Sequence, residues 1–147
     1  DGFGRLDYDI WAETMDTNVF GPMRVAEAFR YNVMSSEKKQ MIFITSRMGS
    51  ITEAVPNAYV YRSSKAALNM AIKSISIEAA RWVKPPIVVA IHPGTTISNL
   101  SKRFLGQRTS KAQSPAECAN KLSSLISSLD FGDSGKFLTL SHSELPW

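Results

Sequence analysis

The sequence IVVAIHPG, residues 87–94, places five consecutive apolar residues directly before a histidine and a Pro-Gly turn. A short apolar run of this kind is typical of a strand that is buried on both faces, as in a parallel sheet. Pro85 and Pro86 come just before it and prevent a helix from continuing into it. The stretch therefore predicts a buried strand over residues 87–91, followed by a loop that begins at residues 92–94.

Two more strands and three helices are predicted around this segment. The run MIFI, residues 41–44, and the run KFLTL, residues 136–140, are the other predicted strands. Strands that alternate with helices indicate an α/β fold, here a Rossmann-like doubly wound parallel sheet of about three strands. The spacing of apolar residues predicts helices over residues 9–33, 58–82 and 115–129.

The first predicted helix carries an apolar stripe that we interpret as core. We expect Asp9 to cap this helix, because a side-chain carboxylate accepts hydrogen bonds from the first free amides of a helix. The second predicted helix has its own stripe, and it also has apolar residues outside that stripe. The stripe of the first helix consists of Trp11, Met15, Val19, Met23, Ala26 and Phe29.

Composition and charge exclude several classes of function. Hydrophobic residues make up 44% and charged residues 20% of the 147 residues, which suits one modest globular domain. The net charge of +4 is spread along the chain, so we expect no nucleic-acid binding. Cys118, the single cysteine, fits a reducing cytoplasm, and the scattered histidines predict no metal site. We expect no membrane span, since no apolar run approaches the ~20 residues required.

The stretch YVYRSSK, residues 59–65, suggests chemistry at the start of the second helix. Tyr61 precedes Lys65 by four positions, so the two side chains share a helix face. A nearby ammonium stabilises a phenolate, and a tyrosine in that setting can exchange a proton with an alcohol or a carbonyl. Ser46, after a strand, and Asn18, in the first helix, supply further polar groups. Together they predict a carbonyl/alcohol redox site beside a hydride carrier.

Each of these residues has an ordinary structural interpretation when it is considered alone. A tyrosine four positions before a lysine occurs by chance in many proteins, and Tyr59 has Ser63 at the corresponding position. Ser46 alone is more often a strand-end hydroxyl, and Asn18 alone is more often exposed or locally hydrogen-bonded. Cys118 is interpreted as a packing residue. Only the ordered combination of motifs carries the functional prediction.

Four segments occur in order: TNVFG at 17–21, IFITSRMG at 42–49, YRSSKAALN at 61–69 and IHPGT at 91–95. With these segments the sequence resembles the short-chain dehydrogenase/reductase family. More narrowly it is similar to the branch of carbonyl reductases that includes sniffer and the C-factor-type proteins. The ending, from SGKF to LPW at residues 134–147, is also similar to that branch. The resemblance covers nearly all of the chain.

The resemblance implies a catalytic role for four residues. Tyr61 would be the general acid/base, and Lys65 would stabilise its phenolate and bind the nicotinamide ribose. Ser46 would orient the substrate carbonyl. Asn18 would complete a proton relay through water. The catalytic set implied is therefore Asn18, Ser46, Tyr61 and Lys65.

The resemblance also implies NAD(P) as cofactor, with NAD or NADP left open. Ser98 stands where many relatives have a threonine that bonds the carboxamide, and its hydroxyl keeps that contact available. The long gap between Ser46 and Tyr61 is interpreted as an insertion at residues 53–57, which would border the substrate pocket together with Met48 and residues 100–107. The implied cofactor-binding residues are Asn18, Tyr61, Lys65, Pro93, Gly94, Thr95, Thr96 and Ser98.

Two family motifs that bind the rest of the dinucleotide do not occur in the sequence. These are the glycine-rich T-G-x-x-x-G-x-G turn and an N-N-A-G segment, and Gly2 and Gly4 do not follow a strand as that turn requires. We therefore expect residues 1–147 to form a single partial domain, the C-terminal part of a Rossmann-like domain. Alone it should bind NAD(P) weakly or not at all, and be inactive. The edge beside residues 41–44 should be open and apolar.

Two functions of different classes follow from these expectations. The first is an NAD(P)-dependent carbonyl reductase or dehydrogenase that acts on a small carbonyl or alcohol substrate. The alternative is a non-catalytic, C-factor-like signalling or interaction fragment, and a third possibility is a degenerate product with no function of its own. Because relatives assemble through their two long helices, we expect a homodimer or homotetramer in the cytoplasm.

Overall fold

The computed structural model describes residues 1–105 and 112–147, with side chains for residues 1–102 and 112–147. After an initial helical segment, each strand is connected to the next by one or two helices. In chain order the elements are α1 (Tyr8–Met15), a π-helix (Asp16–Phe20), α2 (Gly21–Ser35), β1 (Gln40–Ile44), a 3-10 turn (Arg47–Gly49), α3 (Tyr59–Ala79), β2 (Ile87–His92), α4 (Asn99–Leu105), α5 (Pro115–Ser128), a second 3-10 turn (Phe131–Asp133) and β3 (Phe137–Thr139).

The three strands form one parallel sheet in the order β1-β2-β3. Met41 of β1 pairs with Val88, and Ala90 pairs with Phe137 of β3. The strand IVVAIH, which includes the predicted residues 87–91, is therefore the centre of the sheet. This arrangement confirms the predicted α/β fold with a parallel sheet.

The side chains of β2 alternate between two hydrophobic layers, one on each face of the sheet. Val88 and Ala90 pack with α3 residues such as Leu68, while Val89 and Ile91 pack with α5 residues such as Leu125. The β2 residues from 88 to 91 are fully buried. Helices cover both faces of the sheet, which is why the strand is a continuous apolar run and not an alternating one.

The predicted helix over residues 9–33 is confirmed as a continuous helical segment from Tyr8 to Ser35, but a change of hydrogen-bond pattern within it was not predicted. The π-helix Asp16–Phe20 separates α1 from α2. The apolar stripe contains the reason, because Trp11, Met15, Val19 and Met23 follow one another in steps of four. Four residues make slightly more than one turn of a regular α-helix, so each such step moves the apolar stripe by ~40° around the helix. One wider π turn takes up this drift and keeps Val19 buried in the core.

Asp7, and not Asp9, caps the first helix. Its Oδ1 accepts hydrogen bonds from the backbone N–H groups of Asp9 and Ile10, at 3.0 Å each. Asp9 lies within the first turn, where its negative charge is close to the positive end of the helix dipole. Both carboxylates suit a helix start, so the sequence alone did not distinguish the cap from the first turn.

The other helices follow the predictions with two differences. The α3 stripe, including Leu68 and Ile72, is buried as predicted, but α3 ends at Ala79 instead of residue 82. Helix α4 occupies part of residues 100–107, which we had interpreted as a pocket loop; residues 106 and 107 lie outside the described part of the chain. No helix in the described ranges is both long enough and apolar enough to cross a membrane.

The outer edge of β1 has no neighbouring strand in the described part of the chain, as the sequence predicted. An open apolar groove runs along this edge, between β1 and α2. Phe29, which we predicted in the core stripe, lies here and is 58% exposed. Ile44 is also exposed, although its strand was predicted to be buried on both faces. The lining residues are Pro22, Val25, Ala26, Phe29, Val33, Met41, Ile42, Phe43 and Ile44.

Candidate active site

Tyr61 and Lys65 lie together in the first two turns of α3. The Lys65 Nζ is 5.8 Å from the centre of the Tyr61 ring, and both side chains are half-buried. Burial lowers the pKa of the Lys65 ammonium, because a low-dielectric environment disfavours its charge. The helical i,i+4 spacing thus brings the two side chains together.

The start of α3 is held by the first residue of the chain. Ala58 precedes the helix in a left-handed conformation, with φ 55°, and has no side chain that could cap it. Instead, the carboxylate of Asp1 accepts a hydrogen bond from the Val60 backbone N–H at 2.9 Å. An acceptor from elsewhere in the chain therefore does the capping and fixes the turn that carries Tyr61.

Ser46 directly follows β1 and begins the 3-10 turn Arg47–Gly49. It is buried, and its Oγ accepts a hydrogen bond from the Met48 backbone N–H at 3.2 Å. The turn packs against α3, since Arg62 Nη1 donates to the Met48 carbonyl at 3.4 Å. Gly49 comes so close to α3 that a Cβ atom there would lie 2.7 Å from the Lys65 carbonyl carbon. This contact holds the Ser46 segment against the helix of Tyr61 and Lys65.

Asn18 lies in the π-helix and contacts the same part of α3. Its Nδ2 donates to Ser64 Oγ at 3.0 Å, and Ser64 Oγ donates to the Tyr61 carbonyl at 2.8 Å. Asn18 is therefore hydrogen-bonded across two helices, which excludes the interpretation of an exposed or purely local polar residue. Ser64 is fully buried and was missed at the sequence level, because nothing in its local pattern shows that another helix crosses there. Single π turns frequently occur at functional sites.

The predicted cofactor residues after β2 form a separate loop. Pro93 and Gly94 are half-buried, whereas Thr95 and Ser98 are exposed. The Ser98 hydroxyl bonds the Ser101 hydroxyl at 3.2 Å. Among the described residues, no hydrogen bond connects this loop to the Tyr61 and Lys65 side chains. What the loop shares with Ser46 is its position, since both follow the carboxyl ends of neighbouring parallel strands, where ligands of open α/β sheets bind.

Gln113 holds the loop after β2, although no motif in the sequence points to it. Its side-chain Nε2 donates to the Pro93 carbonyl and, at 3.3 Å, to Thr96 Oγ1. Its backbone also pairs with the loop, since the Gln113 N–H donates to the Thr95 carbonyl at 3.0 Å. A glutamine 17 positions from its hydroxyl partner leaves no sequence signal of this contact.

A charged pair lies in the segment that directly follows Ser46. Arg47 and Glu53 form a two-pronged ion pair, with Nε–Oε2 at 2.6 Å and Nη2–Oε1 at 3.0 Å. This pair ties the start of the predicted substrate-side loop, residues 53–57, to the turn after Ser46. His92 is nearby, and burial together with the Arg47 charge holds its pKa below the ordinary value. Its Nδ1 is buried without a hydrogen-bond partner in the described ranges.

Metal ligands are not grouped in the part of the chain that the structure describes. No cluster of three or more His, Cys, Asp or Glu side chains there could hold a metal ion. Cys118 is half-buried, with its Sγ 3.8 Å from the Pro93 carbonyl oxygen.

Replacing Gly94 with alanine is expected to destabilise the fold by about 1–2 kcal/mol, because Gly94 has φ +73° and this region disfavours residues with a Cβ. The added Cβ would also lie 3.3 Å from the Gln113 amide nitrogen. Urea unfolding of Gly94→Ala measures the loss. Gly2→Ala is the control, since nothing lies within 4 Å of the added Cβ. Equal unfolding midpoints for the two variants would contradict the prediction.

Known proteins with similar sequences align with almost the whole chain. The C-signal protein of Myxococcus xanthus is 32% identical over 147 residues, covering 98% of this chain and 82% of that protein. An oxidoreductase of Schizosaccharomyces pombe is 30% identical over 151 residues, covering 95% of this chain. The alignment covers only 59% of that relative, so the chain spans about three fifths of the relative's length.

A solved structure and a family model agree with these relatives. The NADPH-bound carbonyl reductase from chicken fatty liver matches with a TM-score of 0.86 and 23% identity, over 100% of this chain and 61% of that one. At this identity the likeness establishes the fold. The family model described as short chain dehydrogenase matches residues 2–108, which is more than half of the chain. The chain therefore belongs to the short-chain dehydrogenase family of oxidoreductases.

Proposed function

We propose that the complete protein is an NAD(P)-dependent oxidoreductase that reduces a small carbonyl compound to an alcohol, or catalyses the reverse reaction. The observation that carries this proposal is the convergence of three segments on one turn of α3. The π-helix reaches this turn through Asn18, and the segment after β1 reaches it through Gly49. Tyr61 and Lys65 are themselves part of the turn.

A nicotinamide cofactor, when bound, would supply the hydride. The Lys65 side chain fits such a cofactor, because its Nζ is half-buried and has no hydrogen bond or ion pair among the described residues. An ammonium in this state can donate to ribose hydroxyls. The NADPH-bound chicken carbonyl reductase supports this cofactor class, and the choice between NAD and NADP stays open.

The proposed proton chemistry uses the hydroxyl groups of Tyr61 and Ser46. The Tyr61 hydroxyl would donate its proton to the carbonyl oxygen as negative charge develops there. Lys65, close to the ring, would stabilise the phenolate that remains. Ser46 Oγ accepts a hydrogen bond from the Met48 N–H, so its own hydrogen is free to donate to the same carbonyl oxygen.

Asn18 is proposed to act in returning a proton to Tyr61. Its side-chain amide nitrogen is already bonded to Ser64, so it holds the π-helix in place against the turn of Tyr61 and Lys65. A water held near this junction would connect Lys65 to solvent. In this relay Asn18 is proposed to hold the π-helix against the turn of α3 that carries Tyr61 and Lys65.

We further propose that residues 1–147 are the C-terminal part of one Rossmann-like domain. The apolar groove beside β1 supports this, since it offers the backbone edge and side-chain surface that another parallel strand would cover. The coverage of about three fifths of the Schizosaccharomyces pombe relative supports it as well. The 147-residue chain alone is then expected to bind NAD(P) weakly or not at all.

The proposed assembly is a homodimer or homotetramer formed through α2 and α3. Apolar side chains that a partner helix could cover are exposed on both, including Val25, Met70 and Ile77. Burying such side chains between helices is favourable in proportion to the apolar area removed from water. Light scattering of the complete protein measures the assembly, and a monomer at micromolar concentration would contradict this proposal.

Cofactor oxidation tests the proposed function directly. The complete protein is mixed with NADPH or NADH and a panel of aldehydes, ketones and quinones, and the absorbance of the reduced nicotinamide is followed. We expect carbonyl-dependent oxidation with at least one of the two cofactors. A complete, folded protein that binds neither cofactor in a direct binding assay would overturn the proposal.

The alternative of a non-catalytic signalling fragment is motivated by the similarity to C-signal over 82% of that protein, but the match to the short-chain dehydrogenase family does not favour it. Under this alternative, any effect of the protein on a partner persists when Tyr61 is replaced by phenylalanine. Under the enzyme proposal, an effect that depends on carbonyl reduction is lost in the same variant.

A further inference from the structure

Gln113 connects the start of α5 to the loop that follows the central strand. Its side-chain Nε2 donates to the Pro93 carbonyl and to Thr96 Oγ1. Its backbone forms two more bonds, from the Gln113 N–H to the Thr95 carbonyl and from the Ile97 N–H to the Gln113 carbonyl, at 3.0 Å each. One residue thus holds the loop from residue 93 to residue 97.

This loop needs an external support. Pro93 has no N–H to donate, and Gly94, which adopts a positive φ, has no Cβ to restrict its backbone. The β2 ladder ends at His92, so the sheet itself no longer restrains the loop. The Gln113 side chain supplies hydrogen bonds on both sides of Gly94 and thereby limits the conformations that the loop can adopt.

Gln113 is itself held firmly from two sides. Ser114, the next residue, forms a capping box with Glu117: Ser114 Oγ accepts from the Glu117 N–H at 3.2 Å, and the Glu117 carboxylate accepts from the Ser114 N–H at 2.7 Å. Lys121, one turn further, donates to Gln113 Oε1 at 3.1 Å. An ammonium has only donors, so it selects the amide orientation in which Oε1 faces Lys121 and Nε2 faces the loop.

We propose that Gln113 is a positioning residue for the nicotinamide end of the cofactor, acting by holding residues 93–97 in their binding conformation, with Lys121 setting the orientation of the Gln113 amide. This inference rests on the proposed function. The loop begins at the carboxyl end of β2, beside the end of β1 where Ser46 lies, and this is the sheet edge at which ligands bind. Preforming the loop removes an ordering cost that would otherwise weaken binding.

The test compares two ligands on the complete protein. One is the reduced dinucleotide that the wild-type protein binds, and the other is the matching ADP-ribose, which lacks the nicotinamide. For Gln113→Met, we expect the dissociation constant for the dinucleotide to rise about tenfold, from the loss of two side-chain hydrogen bonds. The dissociation constant for ADP-ribose should change by less than about twofold, because the loop is placed at the other end of the cofactor.

Lys121→Met is the matched control variant. It loses the contact to Oε1 but keeps the Gln113 amide. We therefore expect a smaller rise in the dissociation constant, of about two- to threefold, for the dinucleotide and not for ADP-ribose. Gln113→Glu keeps an acceptor for Lys121 but cannot donate to the Pro93 carbonyl. It should therefore weaken binding of the dinucleotide at least as much as Gln113→Met does. Circular dichroism checks that each variant is folded. If Gln113→Met does not fold, the same comparison of the two ligands is made with Gln113→Glu.

The outcomes separate this inference from the proposed function. Equal weakening of both ligands would mean that Gln113 supports the fold in general, and unchanged dinucleotide binding would mean that its side chain does not position the loop. Either result overturns this inference while the proposed function stands. A wild-type protein that binds neither ligand overturns the proposed function, and this inference with it.

Discussion

Replacing Tyr61 with phenylalanine in the complete protein is expected to lower the rate of carbonyl reduction by about 10²–10⁴-fold, the range of a lost general acid. Only one hydroxyl is removed, and no hydrogen bond of this hydroxyl stabilises the described part of the fold. The ring stays beside Lys65, whose Nζ lies 5.8 Å from the ring centre. Stability and cofactor affinity should therefore remain close to those of the wild-type protein.

The measurement is kcat for a carbonyl substrate, with the cofactor dissociation constant determined in parallel. Tyr59→Phe is the matched control, because Tyr59 is one of the two tyrosines in the same helical turn and has Ser63 at the fourth position after it. Tyr59 is partly exposed, and its ring lies 6.3 Å from that of Phe3. We expect Tyr59→Phe to keep nearly full activity. Full activity in Tyr61→Phe would disprove the assigned mechanism.

Replacing Gly49 with alanine is expected to destabilise the protein by about 1–3 kcal/mol and to reduce activity in the molecules that still fold. The added Cβ would lie 2.7 Å from the Lys65 carbonyl carbon and 2.8 Å from both its Cβ and its carbonyl oxygen. Because two of these atoms belong to the α3 backbone, the clash cannot be relieved by a side-chain rotation. Either the turn after Ser46 or the helix must move.

The activity loss follows from the position of this clash. A shift of the 3-10 turn would displace Ser46 relative to Tyr61, and a misplacement of about 1 Å at a reacting group can cost about 10²-fold in rate. Urea unfolding gives the change in stability, and kcat in the absence of urea gives the change in rate. Gly21→Ala is the control, since its Cβ would make only an ordinary contact, 3.4 Å from the Asp16 carbonyl oxygen. Wild-type stability in Gly49→Ala would show that the turn does not lie this close to α3.

Much of the fold could be predicted because its signals are local. The run IVVAI is apolar throughout, since its alternate residues enter different hydrophobic layers, and it is the central strand. Helix α5 begins at Pro115, as predicted from the sequence. Helix α4 and the π-helix between α1 and α2 were missed. The drift of the apolar stripe is compatible with a π turn but does not show where one forms, because the hydrogen-bond pattern depends on how the segments pack.

In the candidate site too, some contacts follow from local sequence and others do not. The proximity of Tyr61 and Lys65 follows from helix geometry, so four positions of sequence were enough to predict it. The roles assigned to Asn18 and Ser46 came from the family resemblance and remain predictions, although the structure brings both segments to α3. Gln113 could not have been chosen from the sequence, because the loop residues that its side chain bonds lie 17 and 20 positions away.

By itself, the sequence determined the parallel α/β architecture, the short-chain dehydrogenase resemblance and the helical face that carries Tyr61 and Lys65. These features depend on residue type and on spacings of a few positions, which the backbone converts directly into geometry. Only the tertiary structure decided which segments meet at that face. The Asn18–Ser64 bond joins residues 46 positions apart, and the contact of Gly49 with Lys65 depends on the path of a whole loop. Such contacts form when packed layers bring distant segments together, and no local pattern encodes them.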